Sequence, residues 1–280
     1  MSSHPYTGTE VAFATMHGKE RLSRQPFFDT LGAHVIAPAG LDTDQFGTFS
    51  GEIARTLSPR AAARVKARLG IQLAGTPYGL ASEGSFNSGL GILVEHREVL
   101  MFLDEARGLE LVEGTIVTSP LPPPGRAVTA VDDALDYATG IAFPEQGVMI
   151  RGGPAGELIC KDLDTVEELS DALGRMLRLT AGRPVTISPD YRAHRCPSRA
   201  DVIIALAHRM ARRLATTCPH CHTPGFGQVD IERGLRCSDC GQPTRMIAAD
   251  ILGCGLCPHT ARAPRTNRIV APQWCDYCNP

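Results

Sequence analysis

Eight of the ten cysteines fall in the last 63 residues as four Cys-x-x-Cys pairs: Cys218/Cys221, Cys237/Cys240, Cys254/Cys257 and Cys275/Cys278. Two thiolates three residues apart on a tight knuckle can grip one tetrahedral Zn²⁺ at about 2.3 Å, and a second knuckle closes a four-sulfur site. The gaps between successive pairs are 15, 13 and 17 residues. The outer two gaps suit zinc ribbons, so the sequence reading groups Cys218, Cys221, Cys237 and Cys240 around one zinc. Cys254, Cys257, Cys275 and Cys278 then take a second. A cross-braced arrangement, with alternate pairs sharing a metal, stays open.

Other uses of these cysteines fit less well. A disulfide framework suits a small secreted domain, but Met1 to Glu10 has no basic segment followed by an apolar core. The rest of the chain carries only Cys160 and Cys196, so cysteines are not spread as staples. Iron–sulfur clusters usually space their ligands more closely. Reduced thiols without an export signal lead to the expectation of a cytoplasmic protein.

A site with four protein ligands has no open position for water or substrate. The plain reading of the tail is a folding staple, replacing a core that so short a segment cannot build. Zinc ribbons often accompany nucleic acid, yet the charges argue against a strong duplex binder. From Cys218 onward there are six arginines and no lysine against five carboxylates, and each zinc with four thiolates adds a net −2. Duplex binding rests on cations neutralising phosphates. The run Arg262 to Arg268 could still make a local contact with RNA.

No apolar run reaches the ~18 residues needed to span a bilayer, so no membrane partner is expected. The sequence leaves the oligomeric state open. Up to about residue 215, short apolar strands alternate with helices, for example Val11 to Thr15, His34 to Pro38 and Tyr78 to Phe86 as strands. Ser58 and Pro59 start a helix expected to stop at Gly70. Thr165 to Leu179 and Ala200 to Ala215 read as further helices. The expected fold is therefore α/β, a mixed or largely parallel sheet with flanking helices. Residues 1–215 form that body, and 216–280 form a double zinc-ribbon region. The proline-rich Thr118 to Arg126 reads as a stiff connection inside the body.

Two polar clusters in the body carry possible chemistry. The first joins Gly18-Lys19, the loop Thr48 to Glu52 with Ser50, and Ser82-Glu83-Gly84-Ser85, each adjoining a strand end, where open α/β sheets place ligands. Glycines admit backbone N–H groups to a phosphate, Lys19 supplies charge, and Glu52 with Glu83 is a candidate Mg²⁺ pair. The plainer reading of each loop is a turn. The chain has 25 arginines and only three lysines, Lys19, Lys66 and Lys161, so a lysine here is more apt to serve as a compact, mobile ammonium. The second cluster runs from Asp190 to Arg199, with Arg192, His194 and Arg199 ahead of a helix N-terminus, a favourable place for anions. The alternative is a capped turn with solvated arginines.

The stretches HGKE, LGAHV, DTDQFGTFSGEIAR and ASEGSF, the Asp190–Arg199 segment and the ending WCDYCNP together resemble an uncharacterised bacterial family, a domain of unknown function with a cysteine-rich end. The body is also distantly similar to inosine/xanthosine triphosphate pyrophosphatases. Those enzymes have a lysine loop, a Thr-Phe loop with a glutamate, a Lys-Ala helix, an acidic Ser-Gly turn and a Ser-His-Arg segment. Lys19; Thr48, Phe49 and Glu52; Lys66 and Ala67; Ser82, Glu83 and Gly84; and Ala193, His194 and Arg195 would correspond. His17-Gly18 stands where that family has asparagine, and its paired aspartates are reduced to Glu83. The resemblance implies fold kinship and a Mg²⁺-dependent hydrolase of a nucleotide or related phosphorylated metabolite. Glu52 and Glu83 would be catalytic, and Lys19, Thr48, Ser50, Lys66, Ser82, Ser85, Asp190, Arg192, His194 and Arg199 would hold substrate. The alternative is a non-catalytic zinc-binding module that recognises a nucleotide, RNA or a protein.

Overall fold

A computed structural model describes residues 4–40, 56–89, 93–120, 124–154 and 156–280. The first sheet opens with β1 (Glu10–Phe13), which leads into helix α1 (Glu20–Leu31) and returns as β2 (His34–Ile36), parallel to β1. Gly32 ends α1 in the left-handed region at φ 67°, donating its N–H to Phe28 O, a conformation that costs glycine little. Helix α2 (Pro59–Ala74) starts where expected, with Ser58 Oγ accepting from Ala61 N. It does not stop at Gly70 but runs to Gly75. A Cβ on Gly70 would meet Ala12 O and Ala14 Cβ at 3.4 Å, an ordinary contact, whereas one on Gly79 would lie 2.6 Å from Ala67 O, so it is Gly79 that lets α2 lie close on the sheet.

Three 12-residue strands follow, β3 (Tyr78–Gly89), β4 (Leu93–Asp104) and β5 (Leu109–Pro120). The sheet order is β2-β1-β3-β4-β5. β1 pairs in parallel with both β2 and β3, whereas β3, β4 and β5 form an antiparallel meander. The sheet is mixed, and the expectation of a largely parallel one holds only at the β1 side. Only four residues separate β4 from β5, which suffices for a hairpin but not for a crossover. Alternation along β3 and β4 sends Leu80, Leu100 and Phe102 to one face, with Phe13 and Phe27, and Ala81, Met101 and Leu103 to the other, with Ala63 and Ala67 of α2.

After the proline-rich connection comes a second, wholly antiparallel sheet of β6 (Arg126–Val128), β7 (Val148–Gly152), β8 (Leu158–Cys160) and β9 (Val185–Pro189), in the order β6-β9-β7-β8. Helices α3 (Val131–Gly140) and α4 (Val166–Leu179) cover it, with Ala134, Ile150, Leu169, Leu173 and Ile187 in its own core. Helix α5 (Pro197–Ala215) then packs back onto the first sheet through Leu206, Met210 and Leu214. It delivers the chain to Cys218. Among the described residues, no helix is long and apolar enough to cross a membrane.

The tail is a three-stranded antiparallel sheet. Strand β10 (Gly227–Arg233) comes first, and a short β11 (Arg236–Cys237) follows it. Then come β12 (Ile247–Gly253) and β13 (Thr260–Pro264), in the order β10-β12-β13. A final β14 (Ile269–Val270) runs parallel to β11. Gly225 and Gly255 meet β5 so closely that an added Cβ would lie 2.5 Å from Leu111 and Leu109 respectively. These contacts seat the tail on the first sheet.

Candidate functional site

The cysteines gather as two groups of four, and the grouping corrects the sequential pairing. Cys218, Cys221, Cys254 and Cys257 form one cluster, and Cys237, Cys240, Cys275 and Cys278 the other, each with its sulfurs within 4.8 Å of one another. The arrangement is cross-braced. Its cause is the strand path: β10 carries the chain about 20 Å from the first knuckle before Cys237, and β12 carries it back to Cys254. Each single traverse changes ends, so consecutive pairs cannot meet.

The sulfur geometry suits a tetrahedral metal. Sγ–Sγ distances are 3.7 Å for Cys218–Cys257, 3.5 Å for Cys221–Cys254, 3.9 Å for Cys237–Cys278 and 3.6 Å for Cys240–Cys275. Four sulfurs at about 2.3 Å from a common centre stand about 3.8 Å apart, whereas a disulfide needs about 2.05 Å. The knuckles share a local design: His222 and Gly241, each directly after its second cysteine, lie at φ 59° and 70°. The N–H groups of Leu256 and Cys257 donate to Cys254 Sγ at 3.4 and 3.5 Å. Both clusters could therefore hold a metal ion. Next to the first, His259 stacks on His220 with centroids 6.0 Å apart, outside the sulfur set.

A second candidate site lies in the first sheet where β1 ends and β3 continues. The Thr15 hydroxyl accepts from the N–H groups of His17 (3.1 Å) and Lys19 (3.4 Å), turning the chain into α1. Lys19 Nζ then donates to Ser82 O at 3.1 Å. That ammonium takes the place of the backbone donor a longer β1 would have offered. On the α2 face of β3, Lys66 Nζ and Glu83 Oε1 are 2.5 Å apart, both nearly buried. On the opposite face, Glu98 is fully buried between Arg199 Nε at 3.0 Å and His96 Nε2 at 2.9 Å. Gly84 makes room for that pair, since a Cβ would overlap the Glu98 carboxylate and sit 2.7 Å from Arg199 Nη2.

The electrostatics follow from burial and charge count. Desolvation pulls the Lys19 ammonium down to about 8, Arg199 and Lys66 push the same way, and Glu98 and Glu83 oppose them. Burial alone would raise Glu98, but Arg199, His96 and Lys19 outweigh it and hold the carboxyl at about 2. Among the described residues, three cations (Lys19, Lys66 and Arg199) face two carboxylates (Glu83 and Glu98). One positive charge is left over, on Lys19 at the strand edge.

The remaining sequence candidates are placed as follows. Thr48, Ser50 and Glu52 lie outside the described residues. The Ser82 hydroxyl is buried without a partner among the described residues, and Ser85 lies two residues beyond Glu83 on β3, on the Glu83 face. Asp190 and Arg192 form a buried bidentate pair, with Arg192 Nη2 also 2.8 Å from Asp162. The Arg192 guanidinium is thus enclosed by two carboxylates of the second sheet's loops. His194 stacks on His17, centroids 4.8 Å apart, so the two sheets meet at these rings. Desolvation, with Arg192 beside it, lowers the His194 pKa against the pull of Asp162. Glu98 and His96 were missed because a Glu and a His two apart inside an apolar strand look like solvent-facing positions. The buried partner that gives them meaning, Arg199, is 101 residues away.

With two Cys₄ clusters closing a small β-rich tail beside an α/β body, the fold defines a protein with a cross-braced, metal-type cysteine domain. Residues 66–280 match the family described as Domain of unknown function (DUF6671). That is most of the chain, and the protein belongs to this family. No curated protein matches it.

Proposed function

We propose that the α/β body binds a phosphorylated small molecule of the nucleotide class at the end of β1 and hydrolyses a phosphate linkage in it. In this reading the two Cys₄ clusters carry structural zinc. What supports it is Lys19: a half-buried ammonium beside a strand's carboxyl end, in a cluster one anion short of neutrality among the described residues. A phosphate there would restore the charge balance and hold the ammonium protonated. Lys19 would grip the phosphate, with Arg199 behind it fixed by Glu98. Glu83, oriented by Lys66, would take the proton of the attacking water, a role worth 10²–10⁴-fold in such enzymes. Among the described residues no three His, Cys, Asp or Glu outside the cysteine clusters gather as a metal site, and Glu52, the other carboxylate of the candidate Mg²⁺ pair, lies outside them. The distant similarity to inosine/xanthosine triphosphate pyrophosphatases points the same way at Lys19, Lys66 and Glu83.

The test is release of phosphate or pyrophosphate from a nucleoside triphosphate panel with Mg²⁺. Turnover should appear, and Glu83→Gln should lower kcat at least ~100-fold when assayed well below its melting temperature, which loss of the buried Lys66 pair also lowers. No turnover of any member, or turnover untouched by Glu83→Gln, would sink the hydrolytic reading.

A second reading, a binding module without turnover, draws on Trp274 and Tyr277, which stand exposed beside the second cluster. It favours a protein partner over RNA. Arg262 is paired with Glu232 at 2.8 Å and Arg265 with Asp250 at 2.6 Å, so the arginine run is largely neutralised. Simultaneous replacement of Arg262, Arg265 and Arg268 should then leave RNA affinity unchanged in a filter-binding assay.

A further inference from the structure

Between the distal halves of β3 and β4 and the loops of the second sheet lies a cleft of about 380 Å³, within the size range of small-molecule sites. Its walls are flat and apolar, formed by Phe86, Tyr191, Pro189 and Pro197. Phe86 stacks on His96 (4.3 Å, 5°) and on Tyr191 (4.5 Å, 25°), so Tyr191 is the outer ring of a three-ring stack. The stack is tied to the charged cluster at both ends. His96 Nε2 contacts Glu98, and Arg199 Nη1 donates to Tyr191 O at 2.9 Å. Through Arg199 the stack is thus joined to the charged cluster that includes Lys19.

The rim specifies the ring's edge. Gln146 Nε2 donates to Gly147 O at 3.0 Å and to Asp190 O at 2.9 Å. These bonds fix the amide so that only its oxygen is left to accept. Glu145, next along the rim, makes no ion pair among the described residues and is acceptor-only when ionised. Two neighbouring acceptors want two neighbouring N–H donors. A guanine-type base offers them on N1 and the exocyclic amine, whereas adenine would set the lone pair of its N1 against the carboxylate.

We infer that this cleft is a binding site for a flat heteroaromatic ring with a donor edge, a guanine-type base, stacked on Tyr191 and read by Glu145 and Gln146. The inference rests on the nucleotide reading above for its link to Lys19, and its test separates the two. Calorimetry on the full-length, metal-loaded protein uses guanosine and adenosine, which have no phosphate, and inorganic pyrophosphate, which has no base. Guanosine should bind at least ~10-fold tighter than adenosine. Glu145→Gln, at an exposed position, should remove that preference, and Tyr191→Ala should weaken guanosine by ~10-fold or more. Equal affinity for the two nucleosides, no binding of either, or guanosine affinity unchanged in both variants would overturn the inference. Pyrophosphate binding lost in Lys19→Met reports on the charged cluster alone, whichever way the nucleosides behave.

Discussion

The α/β body and the tail are held by different physics. The body has apolar cores on both sheets, with ion pairs such as Glu98–Arg199 and Asp190–Arg192 sealed among them. In the tail, the buried hydrophobic positions after residue 216 are Cys218, Phe226, Leu235, Cys237, Ala249 and Cys275. Three of these six are metal-type cysteines. Burial at about 25 cal/mol per Å² can stabilise the first region but hardly the second. A metal ion in each four-sulfur cluster would supply what the tail's small core does not. One region should answer to packing and charge, the other to metal.

The largest test of that contrast is metal removal. Zinc bound to four thiolates is worth on the order of 10 kcal/mol or more of folding free energy, so a strong chelator should abolish hydrogen-exchange protection in 216–280 and spare β1 to β9. Protection lost equally in both regions would erase the distinction. The cross-bracing can be sharpened by metal counting. Cys221→Ser with Cys254→Ser should lose one metal, and Cys221→Ser with Cys240→Ser should lose both. Sequential pairing gives the reverse.

Next in size is Gly84→Ala, which should destabilise the body by roughly 3–5 kcal/mol, because a methyl there drives apart a buried ion pair. Denaturant melts would register it, while zinc content stays at the wild-type value. The pH dependence comes third. Glu98 is held at about 2, below its ordinary 4.5, so its contribution is complete above about 4.5. It is lost as the pH falls through about 2, at most a few kcal/mol. Glu98→Gln should flatten the acid limb of the body's stability curve. Lys19 has the opposite sign: its folded value of about 8 lies below the ordinary 10.5, so the charged form opposes folding. Lys19→Met should therefore stabilise the protein below pH 8, with the gain fading between 8 and 10.5. The smallest effect is Arg262→Ala, an exposed pair with Glu232, which should shift stability by under ~1 kcal/mol.

Local signals in the sequence located most elements. Ser58-Pro59 marked the start of α2, because caps act within a few residues. Gly70 misled, since a glycine in a helical pattern reads locally as a stop, whereas packing on the sheet carries α2 through it to the left-handed Gly75. The eight cysteines announced two metal-type sites, but their grouping depended on how many strands each gap holds. A gap of 15 residues fits either a hairpin, which returns to the same end, or one strand and its turns, which does not. Lys19, Lys66 and Glu83 were legible as a scarce lysine set and an acidic turn. Glu98, His96 and the Phe86–Tyr191 stack were not, because they acquire meaning only when β3, β4 and the first turn of α5 are brought side by side.

The shuttling of the chain between the two ends of the tail sheet also sets a hazard for assembly. Before β10 forms, the first four thiols, Cys218 to Cys240, are the nearest set along the chain, and a wandering ion closes a loop about half as long by taking them together. Loop-closure entropy favours that wrong foursome by about 0.6 kcal/mol. Native strand pairing must then pull it apart, exchanging sulfurs around an ion already caught. Protein refolded with zinc present from the start should mature more slowly than protein that receives its metal after the strands have met.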